Sequence, residues 1–470
     1  MLDEESYLAI AAQLDWARPY DWWRPWPPWG GQREADAFVY AHPPLHLWWT
    51  AALDGLPVPQ LKRLSSVLWG LLLGASGAVV ASRTCRRPGL ATWAWLAAPV
   101  ALLSLQRGLM PDLPVTAWST AAVAGWLLGG RAAPLGGLCL GLAIWTKYPA
   151  LLLVPVLALD GLARRQKRPG FWLAAAAIPL AGELWLWVSY GRLHLWEVLS
   201  RADEIPRGPL PGRALGVLVR AALLAPLPVL LLGPRALPLA VGAVLLAGGA
   251  WALAGGPAGL LAWAAVGGLS VAAAVAAVRE GWRRKDPSLL LGLWVLAVLA
   301  GVALGHNFAG ARYLLPAALP AALLVARQVE SRRAGRLALA AGGALWLAGA
   351  LALTWGEHRL AGAQVELADA VAERWPEGGQ FQGEWAFRWR MEQAGWTLYT
   401  GTPDGRVVVS ARNAGPGAPP AGGRVERMTA GGPGVVVSDA EAQVGLYAET
   451  LGVWPVGWGT GPVEEVTAWR

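Results

Sequence analysis

Long apolar runs separated by short basic segments make up most of this chain. Several runs reach the roughly 20 residues that an α-helix needs to cross the hydrocarbon core of a bilayer. Their hydrophobic residues lie on every side of the helix, so each face meets lipid or another helix. The pattern predicts an all-α polytopic membrane protein with spans near 64–82, 90–106, 111–129, 171–190, 214–233, 236–254, 257–278, 288–305, 313–327 and 335–354.

A further apolar stretch, 134–159, is interrupted by the segment TKYP. Pro149 removes a backbone donor and biases Tyr148 away from the helical region, which predicts a break there. Lys and Arg collect in cytoplasmic loops, and the basic clusters here are 82–87, 129–131, 163–168, 279–285 and 327–333. All of them are cytoplasmic only if 134–159 forms two half-helices that enter and leave on one side. A single tilted helix is the alternative, and it would place 163–168 outside.

This topology divides the chain into three predicted parts. Residues 1–62 form an extracytoplasmic segment with interfacial helices, 63–355 form the helical bundle, and 356–470 form an extracytoplasmic tail. Within the tail, VELADAVAERW is typical of a helix, whereas RVVVS and GVVVSD are typical of short buried strands. A small C-terminal α/β domain is therefore predicted.

The composition excludes several functional classes. Hydrophobic residues make up 55% of the 470 residues and charged residues 15%, against roughly 25% charged residues in soluble domains. The net charge of +8 is explained by basic loops, so no nucleic-acid partner is predicted. Cys85 and Cys139 lie in or beside apolar spans, and they indicate neither a disulfide framework nor a cysteine metal site.

Three carboxylates lie on the predicted outer face of the membrane. Asp3 and Glu4 open the chain, where acidic residues by themselves are typical of a solvated tail. Asp112 stands between two apolar runs, and such a carboxylate is often a helix cap stabilised by the helix dipole. Each of them could alternatively act as a base or bind a metal ion.

Cations share that face. Lys147 lies inside an apolar stretch, where a charge costs several kcal/mol unless it faces a polar cavity. Arg312 can extend to the membrane surface, but a guanidinium is also well suited to grip a phosphate. His42 and His46 are four residues apart, yet HxxxH without the glutamate of HExxH is a weak zinc signal. Acids beside cations suggest group transfer from a phosphorylated lipid.

The chain resembles glycosyltransferase family 39, the membrane glycosyltransferases that use polyprenyl-phosphate sugars. The similar segments are DEESYL (3–8), YAHPPLHLWW (40–49), RGLMPDLPVT (107–116), GLCLGLAIWTKYPALLLVP (137–155), ARYLLPAALP (311–320) and, in the tail, GEWAFRWRMEQAG (383–395). Relatives include protein O-mannosyltransferases and lipid A aminoarabinose transferases. The resemblance implies the GT-C fold, with about 11–12 transmembrane or half-membrane helices and an active site at the extracytoplasmic surface of the cell membrane.

The resemblance also implies roles for individual residues. The acids matched to catalytic positions are Asp3, as the base, with Glu4 and Asp112. The cations matched to positions near the donor phosphate or the lipid are His42, Lys147 and Arg312. Some relatives use a divalent metal, for which the candidates here are Asp3, Glu4 and His42. The implied reaction is an inverting transfer, in which an acceptor hydroxyl attacks the anomeric carbon and the lipid phosphate leaves.

The implied partners are a polyprenyl-phosphate-sugar donor, membrane lipid, and a lipid, glycan or protein acceptor. Relatives usually carry a transmembrane helix before the acidic motif, whereas only Met1 and Leu2 precede it here. We therefore expect one of three explanations: the start of the sequence is placed late, the chain is truncated, or this member lacks the first helix. Two alternatives remain open: a transporter or lipid flippase that uses Lys147 and Arg312 as an anion pathway, and a degenerate member that only binds a partner.

Overall fold

The computed structural model describes residues 4–22, 38, 42–105, 108–200, 208–224, 257–306, 309–330, 333–399, 405–410, 423–439, 444–446 and 456–469. Within these ranges the helices are α1 Glu4–Ala11, α2 Leu45–Ala52, α3 Val58–Thr84, α4 Pro88–Leu96, α5 Pro99–Leu105, α6 Asp112–Leu128, α7 Ala132–Thr146, α8 Leu153–Ala163, α9 Pro169–Tyr190, α10 His194–Ser200, α11 Leu210–Ala221, α12 Pro257–Arg284, α13 Ser288–Gly305, α14 Leu315–Val329, α15 Arg333–Arg374 and α16 Trp385–Gln393. Short 3₁₀ helices precede α8 (Tyr148–Leu152) and α14 (Ala311–Leu314). The predicted span 236–254 and the end of 214–233 lie outside the described residues.

The helical part has the lengths and surfaces of a membrane protein. Four described helices are long and apolar enough to cross a bilayer: α3, the Trp263–Arg284 part of α12, α9 and α13. A fifth span forms if α4 and α5, which meet at 71°, are counted together. On α9, Leu173 and Val188 are each 73% exposed, as expected for side chains that face lipid tails. The predicted polytopic all-α membrane fold is confirmed.

The bend between α4 and α5 has a local cause. Pro99 is the first residue of α5, and its ring disfavours the helical conformation of the residue before it. The chain therefore changes direction after Leu96, and α5 leads towards the loop that precedes Asp112.

The stretch 134–159 is broken as predicted. Lys147 has extended backbone (φ −163°, ψ 125°), after which the chain forms the first 3₁₀ helix and α8. The indole N–H of Trp126, near the end of α6, donates to Asp160, near the end of α8, at 2.9 Å. Hence α8 returns to the end of the bundle from which α7 starts. Two half-helices are present, and the single tilted helix is excluded.

The described strands of the tail are β1 Gln380–Gln382, β2 Thr397–Leu398, β3 Val407–Ser410, β4 Arg424–Ala430, β5 Gly434–Val436, β6 Ser438–Asp439, β7 Val444–Gly445, β8 Gly457–Gly459 and β9 Glu464–Trp469. Five of them form one sheet with strand order β2-β1-β3-β9-β4. Strand β1 pairs in parallel with β2 and β3, while β9 runs antiparallel to β3 and β4. The remaining strands form the two-stranded ladders β5-β8 and β6-β7. The small C-terminal sheet domain is thus confirmed.

The tail domain packs directly on the helical bundle. Helix α15 runs for 42 residues from the bundle into the tail, so the predicted boundary at 355 falls inside one continuous helix. Helix α16 packs against α1. The carbonyl of Leu446 accepts a hydrogen bond from the backbone N–H of Ala311 at 3.0 Å. The tail therefore touches two of the segments that carry predicted site residues, the helix of Glu4 and the segment of Arg312.

Candidate active site at the end of the bundle

A buried ion pair between Asp112 and Lys147 is at the centre of the candidate site. Asp112 begins α6 and Lys147 follows α7, and the two helices form a close hairpin. A Cβ added to Gly125 would lie 2.5 Å from the Cα of Gly136, so small residues let the backbones approach. From this crossing Asp112 is about 20 Å away along α6 and Lys147 about 17 Å along α7. The two side chains therefore arrive at the same level.

The pair leaves one carboxylate oxygen available. Lys147 Nζ lies 2.7 Å from Asp112 Oδ1, and the side chains are 6% and 8% exposed. Asp112 Oδ2 is buried and has no hydrogen-bond partner among the described residues. A buried polar atom without a partner is uncommon in native structures and calls for an explanation. Here it can accept a hydrogen bond from a bound hydroxyl group.

Arg312 and Tyr313 border the ion pair on one side. Lys147 Nζ lies 4.8 Å from the centroid of the Tyr313 ring, and Arg312 Cζ lies 5.0 Å from the same centroid. The guanidinium of Arg312 also donates to the Tyr313 hydroxyl at 3.1 Å. His306 stacks on this ring with the centroids 4.1 Å apart. The structure thus brings Arg312 to the ion pair and adds Tyr313, which the sequence signals only as the next residue of the ARY motif.

An apolar cavity starts beside His306 and Tyr313 and extends between α6, α8, α13 and α14. It is narrow, about 40 Å³. Among its lining residues are Val115, Leu153, Trp294, Val298, Val302 and Pro316. The cavity links the charged cluster to the apolar interior of the bundle.

His42 and His46 lie near the ion pair and are held neutral. Burial, followed by the charge of Lys147, holds the pKa of His42 well below its usual value. Burial lowers the pKa of His46 to about 4, although its hydrogen bond to the Leu109 carbonyl acts in the opposite direction. That bond is 2.7 Å long, and since a carbonyl only accepts, Nε2 of His46 carries the hydrogen. Neither histidine adds a positive charge to the site at neutral pH.

Glu4 holds the loop that leads to Asp112. Its carboxylate pairs with Lys62 at 2.5 Å and accepts the backbone N–H of Leu109 at 3.3 Å. Together Glu4 and His46 fix both backbone polar groups of Leu109, three residues before Asp112. The structure therefore engages Glu4 with Lys62 and Leu109, and its catalytic role stays a prediction. Asp3 lies outside the described residues.

The described residues do not make a metal site by themselves. No group of three or more His, Cys, Asp or Glu that could hold a metal ion occurs in the described ranges. Of the candidates, Glu4 is ion-paired with Lys62, and Asp3 lies outside the described residues.

A second polar cluster, not predicted from the sequence, adjoins Lys147. The hydroxyl of Tyr148 donates to Glu183 Oε1 at 2.9 Å and contacts Nδ1 of His194 at 2.6 Å. Glu183 also accepts the backbone N–H of Leu195 at 3.1 Å, and the ring of Tyr20 stacks on His194. A carboxylate inside an apolar span indicates function by default, and Glu183 in α9 is the signal that could have revealed this cluster.

Because His46 and His306 are neutral in the folded protein, acid is expected to destabilise the fold. Burial lowers the pKa of His46 to about 4 and that of His306 to about 3, from a usual value of 6.5. Below pH 6.5 the unfolded chain takes up protons that the folded chain does not, so stability falls as the pH drops towards these values. For His46 alone the expected loss at pH 5 is about 2 kcal/mol.

Thermal unfolding of the purified protein in detergent at pH 7.5 and pH 5.0 measures this effect. The variant His46→Gln should show a smaller difference between the two pH values, whereas His358→Gln, which removes an exposed histidine, should match the wild type. Equal pH sensitivity in His46→Gln and the wild type would contradict the assignment.

Comparisons with known proteins identify the fold. No family model matches the chain, and no curated protein matches its sequence. Among solved structures, the crystal structure of ArnT from Cupriavidus metallidurans bound to undecaprenyl phosphate is similar. Its TM-score is 0.50 at 16% identity, over 87% of this chain and 88% of that chain. ArnT in the apo state gives a TM-score of 0.45 at 16% identity over the same shares. The chain is a multi-pass membrane protein with the predicted GT-C fold, while its assignment to family 39 stays a prediction.

Proposed function

We propose that the chain is a membrane glycosyltransferase that moves a sugar from a polyprenyl-phosphate donor to a hydroxyl acceptor. The observation that carries this proposal is the buried Asp112–Lys147 pair, whose Oδ2 oxygen is without a partner. Support comes from the fold, since the similar ArnT structure holds undecaprenyl phosphate. The acceptor class, whether lipid, glycan or protein, is left open.

In this proposal the cations and the apolar cavity of the site have different roles. Arg312 and Lys147 stabilise the negative charge that grows on the leaving phosphate, because cations in a site of low polarity act more strongly than in water. The narrow apolar cavity beside Tyr313 marks where the first part of the lipid chain enters, with the neighbouring helices moving apart to admit it. Neutral His42 contributes a hydrogen-bonding group rather than a charge.

The chemical step needs one nucleophile, one leaving group and one proton acceptor. The acceptor hydroxyl attacks the anomeric carbon as the bond from that carbon to the phosphate oxygen breaks, which inverts the configuration. The hydroxyl proton passes to a carboxylate, for which we propose Asp3. Asp112 Oδ2 accepts a hydrogen bond from the attacking hydroxyl or from the sugar, and Lys147 holds the opposite oxygen in place.

We further propose that this site faces the extracytoplasmic side. The basic clusters lie at the other end of the bundle, since α3 and α6 both run from the Asp112 end to helix ends followed by arginines. Lys- and Arg-rich loops are retained in the cytoplasm. Labelling of a single cysteine introduced at Asp54 by an impermeant reagent on intact cells tests this orientation. Asp54 is exposed and lies eight positions before Lys62, which pairs with Glu4.

An activity assay with the purified protein tests the function. The protein is reconstituted into liposomes and incubated with a panel of radiolabelled polyprenyl-phosphate sugars and with membrane extracts as acceptor. Label should move from at least one donor to an acceptor. Asp3→Ala and Asp112→Ala should abolish the transfer while membrane insertion persists, and Asp54→Ala should behave as the wild type.

Two outcomes would reject the proposal. Transfer that survives both Asp3→Ala and Asp112→Ala would show that these carboxylates do not carry the chemistry. Absence of turnover with every donor, combined with movement of the labelled lipid across the liposome membrane, would favour a flippase instead.

A further inference from the structure

A polar cavity of about 500 Å³ lies between the ends of α3, α12 and α14, away from the candidate active site. Its lining is strongly basic. The residues are Arg83, Thr84, Cys85, Arg86, Arg284, Asp286, Arg327 and Glu330. We call this cavity the arginine pocket. Four guanidinium groups face two carboxylates, so the lining carries a formal excess of two positive charges.

The arginine pocket is at the opposite end of the bundle from Asp112. Helix α3 passes Lys62, which pairs with Glu4, and ends at Thr84 in the pocket. At 1.5 Å per residue these two positions are about 33 Å apart, which is the thickness of a bilayer core. No residue of the pocket belongs to the reaction proposed above.

Both carboxylates of the pocket are already engaged with the protein. Glu330 accepts the backbone N–H groups of Arg86 and Arg87 at 2.8 and 3.0 Å. Asp286 accepts the N–H of Ser288, the first residue of α13, at 2.7 Å, and its second oxygen lies 3.4 Å from Arg327. The carboxylates therefore join helix ends, and two of them against four guanidinium groups leave positive charge in excess.

The guanidinium groups keep hydrogen-bonding capacity. Arg83 and Arg86 have no ion-pair partner in the described part of the chain, and Arg284 pairs with Glu280 outside the pocket. Nε of Arg327 is buried without a hydrogen-bond partner among the described residues. Arg327 is further anchored by donation to the carbonyl of Thr84. Guanidinium groups with free N–H donors and uncompensated positive charge can bind the oxygens of a phosphate group.

The level of the pocket in the membrane favours a lipid as the source of that phosphate. Trp282, two residues before Arg284, is 44% exposed and carries Lys285 over its ring at 4.6 Å. Exposed tryptophans of membrane proteins concentrate at the level of the lipid headgroups. Basic pockets between helices at that level bind anionic headgroups.

We propose that the arginine pocket binds the phosphate of an anionic phospholipid headgroup. The bound phosphate would bridge Arg83 and Arg86 at the end of α3 to Arg284 of α12 and Arg327 of α14. The excess positive charge between three helix ends is then balanced by a ligand that the bilayer itself supplies. The inference does not depend on the proposed transfer reaction.

Lipid retention by the full-length protein tests this proposal. The protein is purified from mixed micelles that contain equal amounts of phosphatidylglycerol and phosphatidylcholine, and native mass spectrometry counts the retained lipids. The wild type should retain phosphatidylglycerol at least tenfold over phosphatidylcholine. The double variant Arg83→Gln/Arg86→Gln removes two exposed side chains and should lose this preference.

A matched control separates a site from general surface charge. Arg131→Gln/Lys167→Gln also removes two exposed cations from the basic end of the bundle but leaves the arginine pocket intact, and it should retain the preference. Equal retention by the two double variants would overturn the proposal. Displacement of phosphatidylglycerol by 10 mM inorganic phosphate would identify a free anion as the ligand and overturn the lipid assignment.

Discussion

Removal of the Lys147 ammonium is expected to destabilise the protein and to slow transfer strongly. In Lys147→Met the carboxylate of Asp112, which is 8% exposed and pairs with Lys147 at 2.7 Å, is left as an uncompensated buried charge. Breaking a buried pair from one side costs about 3–5 kcal/mol. Loss of a cation beside the leaving phosphate adds a decrease in kcat of about 10²–10³-fold.

The double variant Asp112→Asn/Lys147→Met separates the two effects. It removes both charges, and replacing a buried pair by neutral groups is often neutral for stability. The double variant should therefore unfold near the wild-type temperature and yet remain inactive. Thermal unfolding in detergent and the initial transfer rate, measured on the same preparations, give the two quantities.

A second ion pair of the same kind supplies the control. Arg164 and Asp160 are 2.8 Å apart with side chains 15% and 1% exposed, and they lie at the basic end of the bundle. Arg164→Met should also lower the unfolding temperature but should leave kcat of the folded fraction unchanged. If Asp112→Asn/Lys147→Met is stable and fully active, the ion pair is structural only and the proposed site is wrong.

The sequence identifies the members of this pair but not their contact. Asp112 and Lys147 stand out because each is a charge in or beside an apolar run, where ionisable residues are rare. Pro149 predicts the break that exposes Lys147. Their contact depends on how closely α6 and α7 approach at Gly125 and Gly136. The packing of α6 against α7 sets this distance, and the local sequence pattern of either helix does not reveal it.

For Glu4 the role predicted from the sequence differs from the contact that the structure shows. Its place beside Asp3 in the acidic motif predicts a catalytic partner, but its side chain turns to Lys62, 58 positions along the chain. A surface lysine at the start of a span gives no signal of such a pair. The tail domain was foreseeable as helix and short strands, whereas its contact with Ala311 through Leu446 was not.

Glu183→Ala is expected to reduce kcat by about 10²-fold although Glu183 does not touch the ion pair. Its carboxylate fixes the hydroxyl of Tyr148 at 2.9 Å and the backbone N–H of Leu195 at 3.1 Å. Tyr148 directly follows Lys147 at the break between α7 and the 3₁₀ helix. A displacement of about 1 Å in a reacting geometry is enough for a loss of this size, so Glu183 is proposed as a positioning residue.

The conservative variant shows how Glu183 acts. Glu183→Gln keeps an oxygen that can accept from Tyr148 and Leu195, so it should retain most of the activity if hydrogen bonding sets the position of Lys147. Glu197→Ala removes a neighbouring carboxylate that pairs with Arg192 at 3.1 Å, and it should change kcat little. Loss of stability in Glu183→Ala should be small, roughly 1 kcal/mol for each hydrogen bond. A fall in kcat with KM unchanged would separate positioning of Lys147 from general unfolding. A wild-type kcat in Glu183→Ala would mean that the break at Lys147 is held by α7 and Pro149 alone.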